Sequence, residues 1–239
     1  MDTTGRGSPI DPAAVGLLAR AVGVDLELYR PQHVEERVRR ALERTRTRDA
    51  AALAALAALD PRVRAKVRRA VAVPVTGERR DPHQFDLLEQ LLPELVGGRP
   101  RVAVWSAGCA DGSELLDVAL LLERAGALDR SLLLGSDMLE ENIAAARART
   151  DVPHDVLSRL RFDVRRLPTD GAPQGRFEIV LCRNLAIYLT VHARDRLHTV
   201  LADALAPGGV LLLGRSERIA DAARLGLDRI DSYAYRRRA

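Results

Sequence analysis

The sequence predicts an α/β fold, a doubly wound and mostly parallel sheet preceded by a small all-helical domain, and three observations predict it. Residues 12 to 73 carry apolar positions at helical spacing throughout. After Pro74 short β-rich apolar runs alternate with helical stretches, the order expected of parallel strands joined by crossover helices and covered on both faces. The first of those runs ends in a turn of small residues followed by a buried-looking helix, which is where ligands enter such sheets.

The elements follow in order. Ala14, Val15, Leu17, Leu18 and Val22 recur on one helical face, and Gly23 is placed to end that helix. Pro31 opens a second helix with Val34, Val38, Ala41 and Leu42 as its stripe and arginines and glutamates elsewhere. A third runs from Asp49 to Leu59, and Asp60-Pro61 reads as the cap and first turn of a fourth whose Arg62, Arg64, Arg68 and Arg69 are exposed. A short helix from Pro82 to Leu95 leads to strand Arg101 to Ser106. Strands are then expected at Leu132 to Ser136, Leu160 to Val164, Phe177 to Cys182 and Val210 to Gly214. Helices are expected at Glu140 to Arg149, Val191 to Leu205 and from Glu217, with a turn at Pro207-Gly208-Gly209 and strand residues between Asp228 and Tyr235.

At 239 residues with 47% hydrophobic content, the chain can hold one large domain, or an ordinary one with a smaller companion. The longest apolar candidate, Ala50 to Leu59, is far short of the roughly 18–20 residues of a membrane span, so no membrane insertion is expected. Residues 1–11 are polar and read as a disordered tail without a secretory signal. Two cysteines, Cys109 and Cys182, make no disulfide framework and fit a reducing, cytoplasmic setting. The net charge of +4 comes from 37 basic against 33 acidic residues, with Lys66 the only lysine. Acids are interspersed with the arginines and aromatics are only 3%, so nucleic acid is not expected as a partner. The oligomeric state is left open, and no metal site is read.

The turn Ser106-Ala107-Gly108-Cys109-Ala110-Asp111-Gly112 lets a backbone approach a ligand closely, and the helix after it offers unpaired N–H groups. It is a poor pyrophosphate fingerprint, because Ala110 stands where a glycine is wanted and Asp111 and Glu114 make it acidic. An acidic rim suits a cationic ligand such as S-adenosylmethionine (SAM), whose sulfonium and ammonium are both positive. Ser136-Asp137 closes the second strand at the distance where a carboxylate grips ribose hydroxyls. The lesser reading of Asp137 is a cap on the helix that begins near Leu139.

Four segments carry a resemblance to the CheR-type chemoreceptor glutamate O-methyltransferases. "VWSAGCADGSE" is similar to the family's "WSAGCATGEE", and "GSDML" stands at its ribose-binding acid. "LCRNLAIYL" is close to "FCRNVLIYF", and "LAPGGVLLLGRSE" to "LKPGGYLFLGHSE". "VTGERRDPHQF" resembles the family's Asn-x-Thr-x-Phe-Phe-Arg-Asp only at Thr76, Arg80 and Asp81, and the helical half with "GVDLELYR" is similar to its N-terminal domain. The resemblance implies a SAM-methyltransferase Rossmann-like sheet over residues 74–239 behind a helical domain at 12–73. Its small β-subdomain is reduced or absent, since only about Thr150 to Arg176 is available. SAM is the implied cofactor and S-adenosylhomocysteine the product. Thr76, Arg80, Ala107, Gly108, Cys109, Glu114, Asp137, Met138, Arg183 and Asn184 would contact the cofactor. Arg80 and Tyr188 would serve catalysis, Tyr188 near the transferred methyl. The implied reaction is methylation of a carboxylate, on an acidic protein helix; the basic helices of the N-terminal half read either as a seat for such a helix or as a solvated charged face. A non-receptor or small-molecule acid as acceptor, and a SAM-binding regulator without turnover, are the alternatives. Cys109 and Cys182 read as packing residues, because methyl transfer from SAM needs no thiol.

Overall fold

The computed structural model describes residues 10–72, 82–150 and 152–239. They group into two compact units: Met1–Pro74 with Tyr188–Thr190, and Val75–Ile187 with Val191–Ala239. Most of the expected tail, residues 1–9, lies outside the described residues. Asp11 does not belong to a tail, because its carboxylate accepts the Ala13 N–H and caps the first helix.

The first unit is built of helices α1 (Pro12–Val22), α2 (Pro31–Thr45), α3 (Ala50–Leu59) and α4 (Pro61–Val71). Gly23 ends α1 in the left-handed conformation, φ 68°, which an L side chain resists. Asp49 and Asp60 each accept a backbone N–H of the helix that follows, replacing donors the first turn leaves unmet. Leu18, Val22, Val38, Leu53, Ala57 and Val67 form the centre of the packing. Two arginines expected on an exposed basic face are used inside the unit. Arg64 donates to the carbonyls of Ala57 and Ala58 at the end of α3, and Arg68 to that of Val22 at the end of α1. A guanidinium satisfies helix-end carbonyls and opposes the negative end of the helix dipole, so both side chains lie down on the unit.

The second unit is a seven-stranded sheet in the order β3-β2-β1-β4-β5-β7-β6. Its strands are β1 (Val102–Ala107), β2 (Ser131–Asp137), β3 (Leu160–Val164), β4 (Phe177–Cys182), β5 (Leu205–Leu213), β6 (Leu227–Arg229) and β7 (Ala234–Arg237). Pairing is parallel from β3 through β5, and β7 runs antiparallel to both its neighbours. The helices are α5 (Pro82–Val96), α6 (Ser113–Arg124), α7 (Glu140–Arg147), α8 (His154–Leu157) and α9 (Val191–Ala204). Leu88, Leu92, Leu115, Val118 and Leu122 pack with Val104, Leu133, Ile179 and Leu212 in one core. β4 is buried along its whole length, the sign of a central strand covered on both faces. Among the described residues, no helix is long and apolar enough to cross a membrane. Between α7 and β4 they hold only α8, β3 and a loop in which Arg166 pairs with Asp170.

Two local expectations are corrected. No helix starts at Glu217, where only a 3₁₀ turn at Ala223–Leu225 follows. The Glu217 side chain turns back to accept N–H groups of other segments and so does not open a helix. The Pro207-Gly208-Gly209 turn is an irregularity inside β5, whose pairing with β4 jumps from Leu205 opposite Phe177 to Val210 opposite Ile179.

Candidate functional site

The carboxyl ends of β1, β2 and β4 lie side by side, because β1 pairs with both neighbours in parallel. The loop after β1 bends through three left-handed residues, Gly108 (φ 79°), Ala110 (φ 48°) and Gly112 (φ 79°). A side chain at Gly112 would crowd the Phe162 ring, since a Cβ there would stand 3.0 Å from it, and the positive φ itself favours glycine. At Ala110 the left-handed conformation costs about 1 kcal/mol, so something must hold it. Asp137 does, through Oδ2, which accepts the Ala110 N–H at 3.0 Å. Gly108 and Cys109 both donate to the Ser136 carbonyl, at 2.8 and 2.9 Å. The loop is thereby pinned to the end of β2.

Asp137 also receives the Leu139 N–H at 2.9 Å and the Asn142 amide at 3.0 Å, both on Oδ1. It therefore braces the start of α7 as well as the β1 loop. These donors are neutral, and burial pushes its pKa up despite them. Met138 follows it, half-buried. A chain of bonds ties three strand ends together beneath: Trp105 Nε1 to Ser136 Oγ (3.0 Å), Ser136 Oγ to Asp163 (2.5 Å), and Arg165 to Asp163 (2.8 Å).

Glu114, one residue into α6, accepts the Ser106 hydroxyl at 3.1 Å and an Arg183 guanidinium nitrogen at 2.9 Å. Burial raises its pKa, with Arg183 opposing. Arg183, just past β4, also lies over the Phe85 ring of α5 at 5.3 Å. Ala107 is buried as the last residue of β1. The Cys109 side chain turns into the core, and its sulfur is the atom that a Cβ on Gly135 would meet at 2.9 Å. Burial lifts the pKa of both Cys109 and Cys182 well above a free thiol's, leaving neither a thiolate.

Asn184 is held at φ 59°, and its N–H donates to Glu217 Oε2 at 2.8 Å. Tyr188 falls in the helical unit, where its ring lies 4.6 Å from that of His33 and its carbonyl accepts the Arg30 N–H. Burial, reinforced by Arg37, lowers the pKa of His33. Thr76 and Arg80 lie outside the described residues. The structure thus gathers Ala107, Gly108, Cys109, Glu114, Asp137, Met138, Arg183 and Asn184 at adjoining strand ends.

Two participants were not singled out from the sequence. Ser106 was read only as part of a turn, and Glu217 as a helix start. For Glu217 the signal was present, since it ends the "GRSE" string quoted in the resemblance.

Residues 75–160 and 147–230 match the sequence profile of the CheR methyltransferase SAM-binding domain. With an acidic, glycine-bent loop at the ends of β1, β2 and β4, that match makes the protein a SAM-dependent methyltransferase. A chemotaxis protein methyltransferase of Listeria innocua is 27% identical over 192 residues, covering 69% of this chain and 73% of the relative. An uncharacterized 104.1 kDa protein of Rhodobacter capsulatus is 29% identical over 90% of this chain, which spans 26% of that protein. Among solved structures, a SAM-dependent methyltransferase from Geobacter sulfurreducens in complex with S-adenosylhomocysteine overlaps 66% of this chain and 69% of its own. Its TM-score is 0.45 and its identity 16%. The chain belongs to the CheR methyltransferase family.

Proposed function

We propose that the enzyme methylates a carboxylate to a methyl ester, with a glutamate side chain on an acidic protein helix as acceptor. The observation supporting this is what the strand ends lack. The described segments 108–112, 138–140, 183–185 and 214–217 contain no histidine and no lysine. Glu114 is engaged by Arg183 and Ser106, and Asp137 by three N–H donors. The carboxylates these segments hold are Asp111, Glu140 and Glu217, the last engaged by backbone N–H groups, and a carboxylate acceptor, with a reference pKa of about 4.3, needs no base because it arrives deprotonated.

The residues present fit SAM. Asp137 Oδ2 accepts a single hydrogen bond from the chain, leaving capacity for a ribose hydroxyl, and its donors carry no positive charge. On this reading Asp137 holds the ribose, with Met138 beside it. Ala107, Gly108 and Cys109 bring their backbone close, and Glu114 supplies the negative potential that favours a cation. Arg183 and Asn184 line the adenosyl side. Bound SAM supplies a methyl group on a sulfonium, open to in-line attack. The protein aligns the attacking oxygen and limits its hydration. Thr76, Arg80 and Tyr188 keep the roles the resemblance implies, Arg80 steering the carboxylate and Tyr188 flanking the methyl.

Methyl-labelled SAM, a glutamate-rich helical peptide and a set of small carboxylic acids test this. Label in the peptide that alkali releases as methanol is the expected result. Release from the small acids alone would move the acceptor to that class. Alkali-stable label would refute carboxylate methylation.

A further inference from the structure

We propose that Glu217 is a positioning residue of the cofactor site, acting through the backbone of Asn184. It is 2% exposed, on the segment after β5. Its Oε2 accepts the N–H of Gly214 at 2.7 Å and of Asn184 at 2.8 Å, and its Oε1 that of Ile187 at 3.3 Å. One buried carboxylate therefore ties the end of β5 to the segment that leaves β4.

The surroundings are shaped for that carboxylate. A Cβ on Gly214 would stand 2.6 Å from Glu217 Oε2 and 2.8 Å from the Asn184 nitrogen, so only glycine allows the three groups to meet. Asn184 sits in the left-handed region, which asparagine tolerates better than most residues, and the charge-assisted bond from its own N–H fixes it there. Its predecessor, Arg183, carries the ion pair to Glu114, so the direction in which the chain leaves β4 sets where that guanidinium points. The buried carboxylate is turned to backbone N–H groups, and its effect reaches the site through residues 183 and 184.

The proposal rests on the assignment of the strand ends to SAM, and the experiment separates the two. S-adenosylhomocysteine binding is measured by calorimetry, at a temperature where circular dichroism shows each variant folded. The proteins are wild type, Asp137→Ala, Glu217→Gln, Asn184→Ala and the double variant Glu217→Gln/Asn184→Ala. Hydrogen bonds to a charged acceptor justify an expected loss of about tenfold or more in affinity for Glu217→Gln. Because Glu217 acts through residues 183 and 184, part of its effect is shared with Asn184, and the double variant should lose less affinity than the product of the two single losses. Wild-type affinity in folded Glu217→Gln, or losses that multiply in the double variant, would overturn the proposal. Wild-type affinity in Asp137→Ala would overturn the site assignment itself. Should Glu217→Gln not fold, Glu217→Asp carries the test, keeping the charge on a side chain one methylene shorter. Weakened binding supports the positioning role, and unchanged binding refutes it.

Discussion

His198 makes the stability of the enzyme fall in mild acid. It lies on α9 at 3% exposure, and its Nε2 has no hydrogen-bond partner among the described residues. Burial, with Arg194 adding to it and Asp195 opposing, lowers its pKa from 6.5 to about 4. Below pH 6.5 the unfolded chain binds a proton that the folded protein refuses. Stability is therefore full above about pH 7, declines as the pH drops, and levels off once the folded pKa is passed. A tenfold change in proton binding is worth about 1.4 kcal/mol, so the whole interval amounts to about 3 kcal/mol, and about 2 kcal/mol is gone by pH 5. In a chain of this size that lowers the Tm by roughly 4–8 °C between pH 8 and pH 5. Glu114 and Asp137, with raised pKa values, act in the opposite sense at lower pH. They are unchanged in a His198→Leu variant, so the difference between the two proteins isolates the imidazole. Thermal melts at pH 8, 6.5 and 5 should show a much flatter profile for His198→Leu. Parallel profiles for the two proteins would refute the reasoning.

Two substitutions probe the scaffold. Gly135→Ala places a Cβ 2.7 Å from the Phe162 ring and 2.9 Å from the Cys109 sulfur. Both are buried, so overpacking should cost roughly 1–3 kcal/mol, read by urea denaturation. Asp60→Ala removes the acceptor of the Arg62 and Val63 N–H groups and should destabilise the helical unit by about 1 kcal/mol. An unchanged midpoint would remove the cap from the account.

The alternation of strands and helices was legible because each buried strand is a short apolar run and each turn a cluster of small residues. Leu160–Val164 and Phe177–Cys182 have the bounds their sequence pattern suggests. The helical unit was equally open, since Asp49, Asp60, Pro31, Pro61 and Gly23 mark helix ends by local chemistry alone. What escaped depends on tertiary partners. Nothing near Arg64 or Arg68 in sequence says that helix-end carbonyls wait for them. Nothing near Glu217 says that its carboxylate belongs to the segment leaving β4, 33 residues earlier. Asp137 was read as either a ribose ligand or a helix cap. In the fold it does cap-like work with one oxygen and braces Ala110 with the other.

The membership of Tyr188–Thr190 in the helical unit has a practical consequence. Leu189 is fully buried and bridges Tyr29, while the Leu28 carbonyl takes the Thr190 N–H. A truncation at residue 74 would thus excise the four helices but leave behind three residues that complete them. A helical fragment ending there would lack the side chain of Leu189 and the backbone partner of Leu28.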